Sequence, residues 1–122
     1  MKIYQYDGCD SCRKALKFLD RHKVEYERIA IVDRPPSRAE LARMLKDHLG
    51  GQLKKLFNVS GQAYREGKLG EKLGSMAEAE ALGLLAANGK LVKRPFVLGK
   101  RGAREVGLVG FDEKKWKDVL GL

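Results

Sequence analysis

Apolar positions alternate in short runs near both ends of the chain and fall at spacings of three and four between them. Ile3-Tyr4-Gln5-Tyr6 has the twofold period of a short buried strand over residues 2–6. Asp7-Gly8 and Cys9-Asp10-Ser11-Cys12 then feed a helix over about 11–22, whose apolar stripe is Cys12, Ala15, Leu16 and Leu19. Val24 and Tyr26 alternate with Glu25 and Glu27 ahead of Ile29-Ala30-Ile31, the pattern of a second strand, which a helical crossover sets parallel to the first. Asp33-Arg34-Pro35-Pro36 breaks it, and Ser37 with Glu40 opens a capped helix carrying Leu41, Met44 and Leu45 that Gly50-Gly51 stops. Leu53 to Phe57 is a short amphipathic piece before the polar Asn58-Val59-Ser60-Gly61 loop. Ser75 with Glu78 predicts another capped helix, ending at Asn88-Gly89. Beyond Leu91-Val92, Phe96-Val97-Leu98 and the pair Val106 and Leu108 predict a hairpin turning at Gly99-Lys100-Arg101-Gly102. Asp112 caps a last helix through about Leu120, with Phe111 and Trp116 placed as a hydrophobic staple.

The resulting order is βαβ (residues 1–32), an all-helical insertion (about 37–88), then ββα (90–122), read as one domain over 1–122 with no internal repeat. A content of 43% apolar and 34% charged residues suits a folded chain with a single core. No run of about 18 apolar residues and no leader pattern is present, so the cytoplasm is the expected compartment and no membrane partner is expected. A monomer is expected too. The 25 Lys and Arg against 16 Asp and Glu leave +9, which fits either a solvated basic surface or attraction of an anionic partner. No block of five basic residues stands out, so direct nucleic-acid binding is not expected.

Only two cysteines occur, within four residues in CxxC spacing, which suits redox chemistry rather than a disulfide scaffold. Zinc needs two further ligands, and His22 and His48 have no partner pattern, so no metal is expected. A βαβ unit followed by a hairpin and helix is the arrangement of the thioredoxin-like fold, α/β with a mixed four-stranded sheet. In it a CxxC at the start of the first helix lies by unpaired backbone N–H groups at the positive end of the helix dipole, which stabilise a thiolate. Cys9 is thus the candidate nucleophile, and Cys12, one turn on, the resolving thiol of a redox-active Cys9–Cys12 disulfide. Arg13 and Lys14 add positive charge beside them, and Asp7 and Asp10 oppose it. By analogy with the fold, Pro95 is expected to be cis beside the cysteine, delivering Arg94 to bind an oxyanion or carboxylate.

Four segments carry a more specific likeness: Cys9 to Ala15, Leu56-Phe57-Asn58-Val59-Ser60-Gly61 with Tyr64-Arg65-Glu66, Leu91 to Val97, and Val109 to Glu113 with Trp116. With them the chain resembles the arsenate reductase-like (ArsC/Spx/MgsR) family of the thioredoxin superfamily, most of all its YusI- and YffB-type members. The resemblance implies a thioredoxin core with an all-helical insertion. It implies a thiol-disulfide oxidoreductase or a glutathione- or glutaredoxin-linked reductase, with no bound cofactor and with glutathione, a glutaredoxin or a thioredoxin as electron donor. In that family a cysteine attacks arsenate and three arginines bind the oxyanion. Cys9 matches the nucleophile and Arg94 one arginine, while Asn58 and Gly107 stand where the other two would be, with Lys54, Lys55, Arg101 and Arg104 nearby in sequence. The resemblance to Spx and MgsR implies the alternative, a redox-sensing transcriptional regulator that binds the RNA polymerase α-subunit.

Overall fold

A computed structural model describes residues Met1–Leu122. Their contacts form two compact units, Met1–Ala30 with Arg94–Leu122, and Ile31–Lys93. The first unit has the thioredoxin-like fold and the second is the all-helical insertion.

In the first unit, β1 (Lys2–Gln5), α1 (Asp10–Arg21) and β2 (Glu27–Ala30) form the βαβ element. β1 and β2 are parallel, with Lys2 opposite Glu27 and Gln5 opposite Ala30. The expected strand from Val24 shortens, because the Val24 amide turns back to the Leu19 carbonyl at 2.9 Å and Lys23 adopts φ 55°. α1 buries Cys12, Ala15, Leu16 and Leu19 as its spacing predicts, and adds Phe18.

The insertion begins with α2 (Arg38–Arg43), whose capping box is complete: Glu40 N donates to Ser37 Oγ at 3.1 Å and Ser37 N to Glu40 Oε1 at 3.0 Å. A π-helical turn, Met44–His48, continues it until Gly50 and Gly51 take positive φ. A 3₁₀ turn at Leu53–Leu56 leads to α3 (Gln62–Glu66) and α4 (Leu69–Lys72), two short helices that no capping or periodicity signal marks. α5 (Glu78–Ala87) starts two residues later than its Ser75 signal suggests. Ser75 lies in a 3₁₀ turn and its hydroxyl donates to the Lys72 carbonyl at 3.2 Å, so it caps nothing, and Ala77 occupies the N-cap without a side-chain bond. The insertion closes where Phe57 bridges Val92 and the Lys93 amide reaches the Leu56 carbonyl at 2.8 Å.

Back in the first unit, β3 (Phe96–Arg101) and β4 (Arg104–Val109) complete a mixed sheet of order β2-β1-β3-β4, with β3 antiparallel to both neighbours. The hairpin turn is Gly102-Ala103, not Gly99 to Gly102. Gly99 is inside β3, opposite Val106, and Met1 lies against it: a Cβ there would stand 2.7 Å from Met1 Cα. α6 (Glu113–Leu120) follows, with Asp112 accepting from Lys115 N at 3.3 Å. Phe111 and Trp116 meet edge to face at 5.0 Å, and Trp116 Nε1 donates to the Gly110 carbonyl at 3.0 Å. One core joins Ile3, Val97, Val106 and Leu108 of the sheet to Ala15, Phe18 and Leu19 of α1 and to Trp116 and Leu120 of α6. No helix is long and apolar enough to cross a membrane.

Candidate active site

The chain leaves β1 at Gln5, turns through Asp7-Gly8 and enters α1 with Cys9 as its N-cap residue. Cys9 has extended backbone angles, φ −99° and ψ 117°, and its Sγ accepts from the Cys12 amide at 3.3 Å. That amide is one of the unpaired donors of a helix N-terminus, so the sulfur occupies the place a capping oxygen normally takes. Both cysteines are free thiols. Cys9 is half-buried, and Cys12, on the core-facing side of α1, has no exposed surface.

Burial pushes the Cys12 thiol up from 9.0 to about 12, helped by the hydrogen bond and charge of Cys9, while a hydrogen bond from the Tyr6 backbone and the charge of Arg94 pull it down. Cys12 is therefore a protonated thiol at neutral pH. Because its folded pKa lies above the unfolded one, the fold gains from the neutral thiol below pH 9, and this gain is lost as pH rises from 9 toward 12. Under reducing conditions the urea midpoint of the wild type is expected to fall more steeply across that window than that of Cys12→Ala. Equal slopes would show that Cys12 ionisation is not linked to folding.

β1 pairs with β3 through Tyr4 opposite Phe96, which brings the start of β3 back to the thiol end of β1. Pro95 is buried, its bond to Arg94 is cis, and its carbonyl accepts from Gly110 N at 2.9 Å. The Arg94 guanidinium stacks over the Tyr6 ring at 4.8 Å, and its Nη1 is buried without a hydrogen-bond partner. Stacking on an aromatic face holds a guanidinium and leaves its edge free to donate. Tyr6 in turn covers Gly8: a Cβ there would lie 3.1 Å from its Cε1. Tyr6 is 41% exposed, so it walls the site from outside. Sequence patterning reads Tyr6 only as the last residue of a strand; an exposed aromatic directly before a CxxC loop is the signal that could have found it.

The other expected residues divide. Arg13 donates to the Asp7 carbonyl at 3.1 Å and pairs with Asp10, so its guanidinium braces the loop around the cysteines. Asp7 is itself paired with Arg28 at 3.2 Å. Lys14 lines a different groove, shared with Lys17, Phe18, Arg21, Phe111 and Glu113. Arg101 and Arg104 do not replace a missing oxyanion arginine: they donate to the Leu120, Asp118 and Val119 carbonyls at the C-terminal end of α6. Arg101 lies five residues beyond Phe96 along β3, about 17 Å at strand rise. No three His, Cys, Asp or Glu side chains gather as a metal-binding set.

The chain and its fold have known relatives. The family model of the ArsC family matches residues 4–119. The chain is 43% identical over 118 residues to the uncharacterized protein YusI of Bacillus subtilis, covering 97% of this chain and 96% of that one. It is 28% identical over 118 residues to the global transcriptional regulator Spx of Streptococcus mutans, covering 97% of this chain and 81% of Spx. The crystal structure of an ArsC family related protein from Bacteroides fragilis superposes with a TM-score of 0.87 at 42% identity, over 97% of this chain and 95% of that one. The mixed sheet and the helical insertion are thus a family's fold: this chain belongs to the ArsC family of the thioredoxin superfamily.

Proposed function

We propose that the protein is a thiol-disulfide oxidoreductase of arsenate reductase-like type, in which Cys9 attacks, Cys12 resolves and Arg94 binds the anionic part of the substrate. The observation that carries this reading is the Arg94 guanidinium, stacked on Tyr6 with a buried Nη1 donor unpartnered, beside a thiol pair capping a helix. A buried unpaired donor costs about 1–3 kcal/mol, more when charged, and a bound carboxylate or oxyanion removes that cost. In the first step Cys9 Sγ bonds to one sulfur of a disulfide substrate, and the other sulfur leaves as a thiolate. In the second, Cys12 loses its proton to solvent and bonds to Cys9 Sγ, and the substrate sulfur leaves and is protonated. The substrate has gained two electrons and the protein holds a Cys9–Cys12 disulfide. Two glutathione molecules, or one dithiol glutaredoxin or thioredoxin, return the electrons, and a reducing compartment such as the cytoplasm keeps that supply available. Capture of Cys9 in a mixed disulfide removes its charge and its hydrogen bond, two of the influences that hold the Cys12 proton. Burial, the largest of those influences, remains, so the proton is held less firmly at the step that needs its loss.

With only Arg94 of the family's arginines matched, glutathione-type mixed disulfides suit the site better than arsenate. The test is reduction of a glutathione mixed disulfide, of uncharged hydroxyethyl disulfide and of arsenate by wild type and variants. Arg94→Gln is expected to lower kcat/KM for the glutathione substrate by about ten- to a hundredfold, the worth of one charge-assisted contact, and to change hydroxyethyl disulfide reduction little. Equal losses on both disulfides would remove Arg94 from substrate binding, and no wild-type turnover of any of the three substrates would end the reading.

The similarity to Spx over nearly the whole chain favours a second reading, a redox-sensing transcriptional regulator. There the same disulfide biases an interface with the RNA polymerase α-subunit. A pull-down with the C-terminal domain of that subunit, under oxidising and reducing conditions, tests it, and absence of binding in both would discard it.

A further inference from the structure

Away from the thiols, the flank of α1 carries a second built surface. Lys14, Lys17, Phe18, Arg21, Phe111 and Glu113 line a groove of about 280 Å3 between α1 and the start of α6. Lys14, Lys17 and Arg21 are spaced three and four apart, so they form one basic edge. At the base, Phe18 stands 5.6 Å from Phe111 and 6.2 Å from Trp116, an aromatic bed fixed by the core. Glu113 is the one acid on the lining, and Arg21 grips it at 2.8 Å while lying 5.9 Å from the Phe18 ring. Lys14 and Lys17 hold no carboxylate. Cavities of about 150 Å3 with apolar linings take benzene, so this groove has room for an aromatic ring.

We propose that this groove docks an acidic segment of a partner protein that carries one bulky apolar side chain. The side chain seats on the half-buried Phe111 ring, its flanking carboxylates meet Lys14 and Lys17, and Arg21 exchanges Glu113 for an incoming carboxylate. A protein segment fits better than nucleic acid on two grounds. Phe18 is 1% exposed, which leaves the half-buried Phe111 as the one accessible ring of the groove, too little for successive bases to stack on, and Glu113 repels a phosphate backbone. The charges set specificity and encounter, and the apolar anchor sets residence.

The probe is a fluorescein-labelled peptide with a single phenylalanine flanked on each side by three aspartates, followed by fluorescence anisotropy at low salt. Saturable binding is expected, weakened about tenfold or more when the phenylalanine is replaced by alanine. Lys17→Ala, at an exposed position, is expected to weaken it several-fold. Glu113→Gln removes the competing carboxylate and is expected to tighten it several-fold, whereas Glu105→Gln makes the same change in net charge on β4 and is expected to leave affinity unchanged. The inference is overturned if the phenylalanine peptide fails to saturate or if the alanine peptide binds equally. It is also overturned if Glu105→Gln acts as strongly as Glu113→Gln, or if a single-stranded oligonucleotide of equal charge displaces the peptide at lower concentration than unlabelled peptide does.

Discussion

Cys9→Ser is expected to lower thiol-dependent turnover at least about a thousandfold while leaving the fold as stable as the wild type. The two halves of this expectation have different physical sources. Activity requires a sulfur that can ionise, form a covalent bond to a substrate sulfur and leave again, and a serine hydroxyl does none of this at neutral pH. Stability depends on the same atom only as a cap, because Cys9 Sγ accepts from the Cys12 amide. Serine is among the best N-cap residues, so its oxygen takes that amide at least as well as sulfur does. A variant that loses activity and keeps its urea midpoint therefore reports chemistry, not damage. Retained disulfide reduction in Cys9→Ser would refute the assignment of the nucleophile. Cys12→Ala separates the second role: with a mixed-disulfide substrate and no added thiol it is expected to stop at a Cys9 adduct visible as an added mass of the bound half-substrate. Wild type under the same conditions passes on to the internal disulfide and shows no adduct. Cys12→Ser is a poorer probe, because it puts a hydroxyl in a fully buried position.

How far the sequence foretells such behaviour depends on whether a signal is local. Ser37 with Glu40 and Ser75 with Glu78 carry the same spacing, yet only the first forms a box. Both Ser37 partners are its own helix's backbone and Glu40, whereas the Ser75 hydroxyl has a nearer acceptor in the Lys72 carbonyl that the motif does not reveal. The Asp112 cap and the Phe111–Trp116 staple are read correctly for the same reason as the first box: all their atoms lie within six consecutive residues. Gly99 and Val24 are misread because their conformations answer to residues elsewhere, Val106 opposite and Met1 alongside in one case and the Leu19 carbonyl in the other.

The site divides along the same line. Cys9 at the head of α1 is a local inference from CxxC after a strand, and the structure finds it there. Arg94 is close to Cys12 only because β1 and β3 pair, so it is reached through the family likeness rather than through spacing. Arg13 and Lys14 follow the cysteines in sequence, but a helix turns successive residues by about 100°, so nearness along the chain does not put a side chain at the thiol. One meets Asp7 and Asp10, and the other lies over the α1–α6 groove. Tyr6 makes the opposite point: its one mark in the sequence is an aromatic ring just before the CxxC loop, and it acquires a role only from the guanidinium above it.

Gly89→Ala is expected to cost about 3 kcal/mol or more of folding free energy, a large share of the roughly 5–15 kcal/mol that holds a domain of this size together. A Cβ at this position would stand 1.9 Å from the Ile31 carbonyl oxygen, 2.7 Å from the Ile31 carbonyl carbon and 3.1 Å from Val32 Cα. All three are backbone atoms, so no side chain can rotate away, and one of the two segments must move. Gly89 cannot give easily. It begins the 3₁₀ turn Gly89–Leu91, which Asn88 caps by accepting from Lys90 N at 3.1 Å, and the Leu91 carbonyl accepts from Asn58 N at 2.7 Å. Displacing Gly89 therefore strains the closure of the whole insertion, from Phe57 against Val92 to Lys93 against Leu56. As a helix stop this glycine would tolerate asparagine at small cost and alanine at about 1 kcal/mol. The two explanations are separable by urea unfolding with Gly74→Ala as the control, since a Cβ at Gly74 meets nothing within 4 Å. Gly74→Ala is expected within about 0.5 kcal/mol of wild type, and Gly89→Ala to unfold at a much lower midpoint with an unchanged slope. Equal midpoints for Gly89→Ala and wild type would leave the close approach to Ile31 without energetic consequence and return Gly89 to the role of a helix stop.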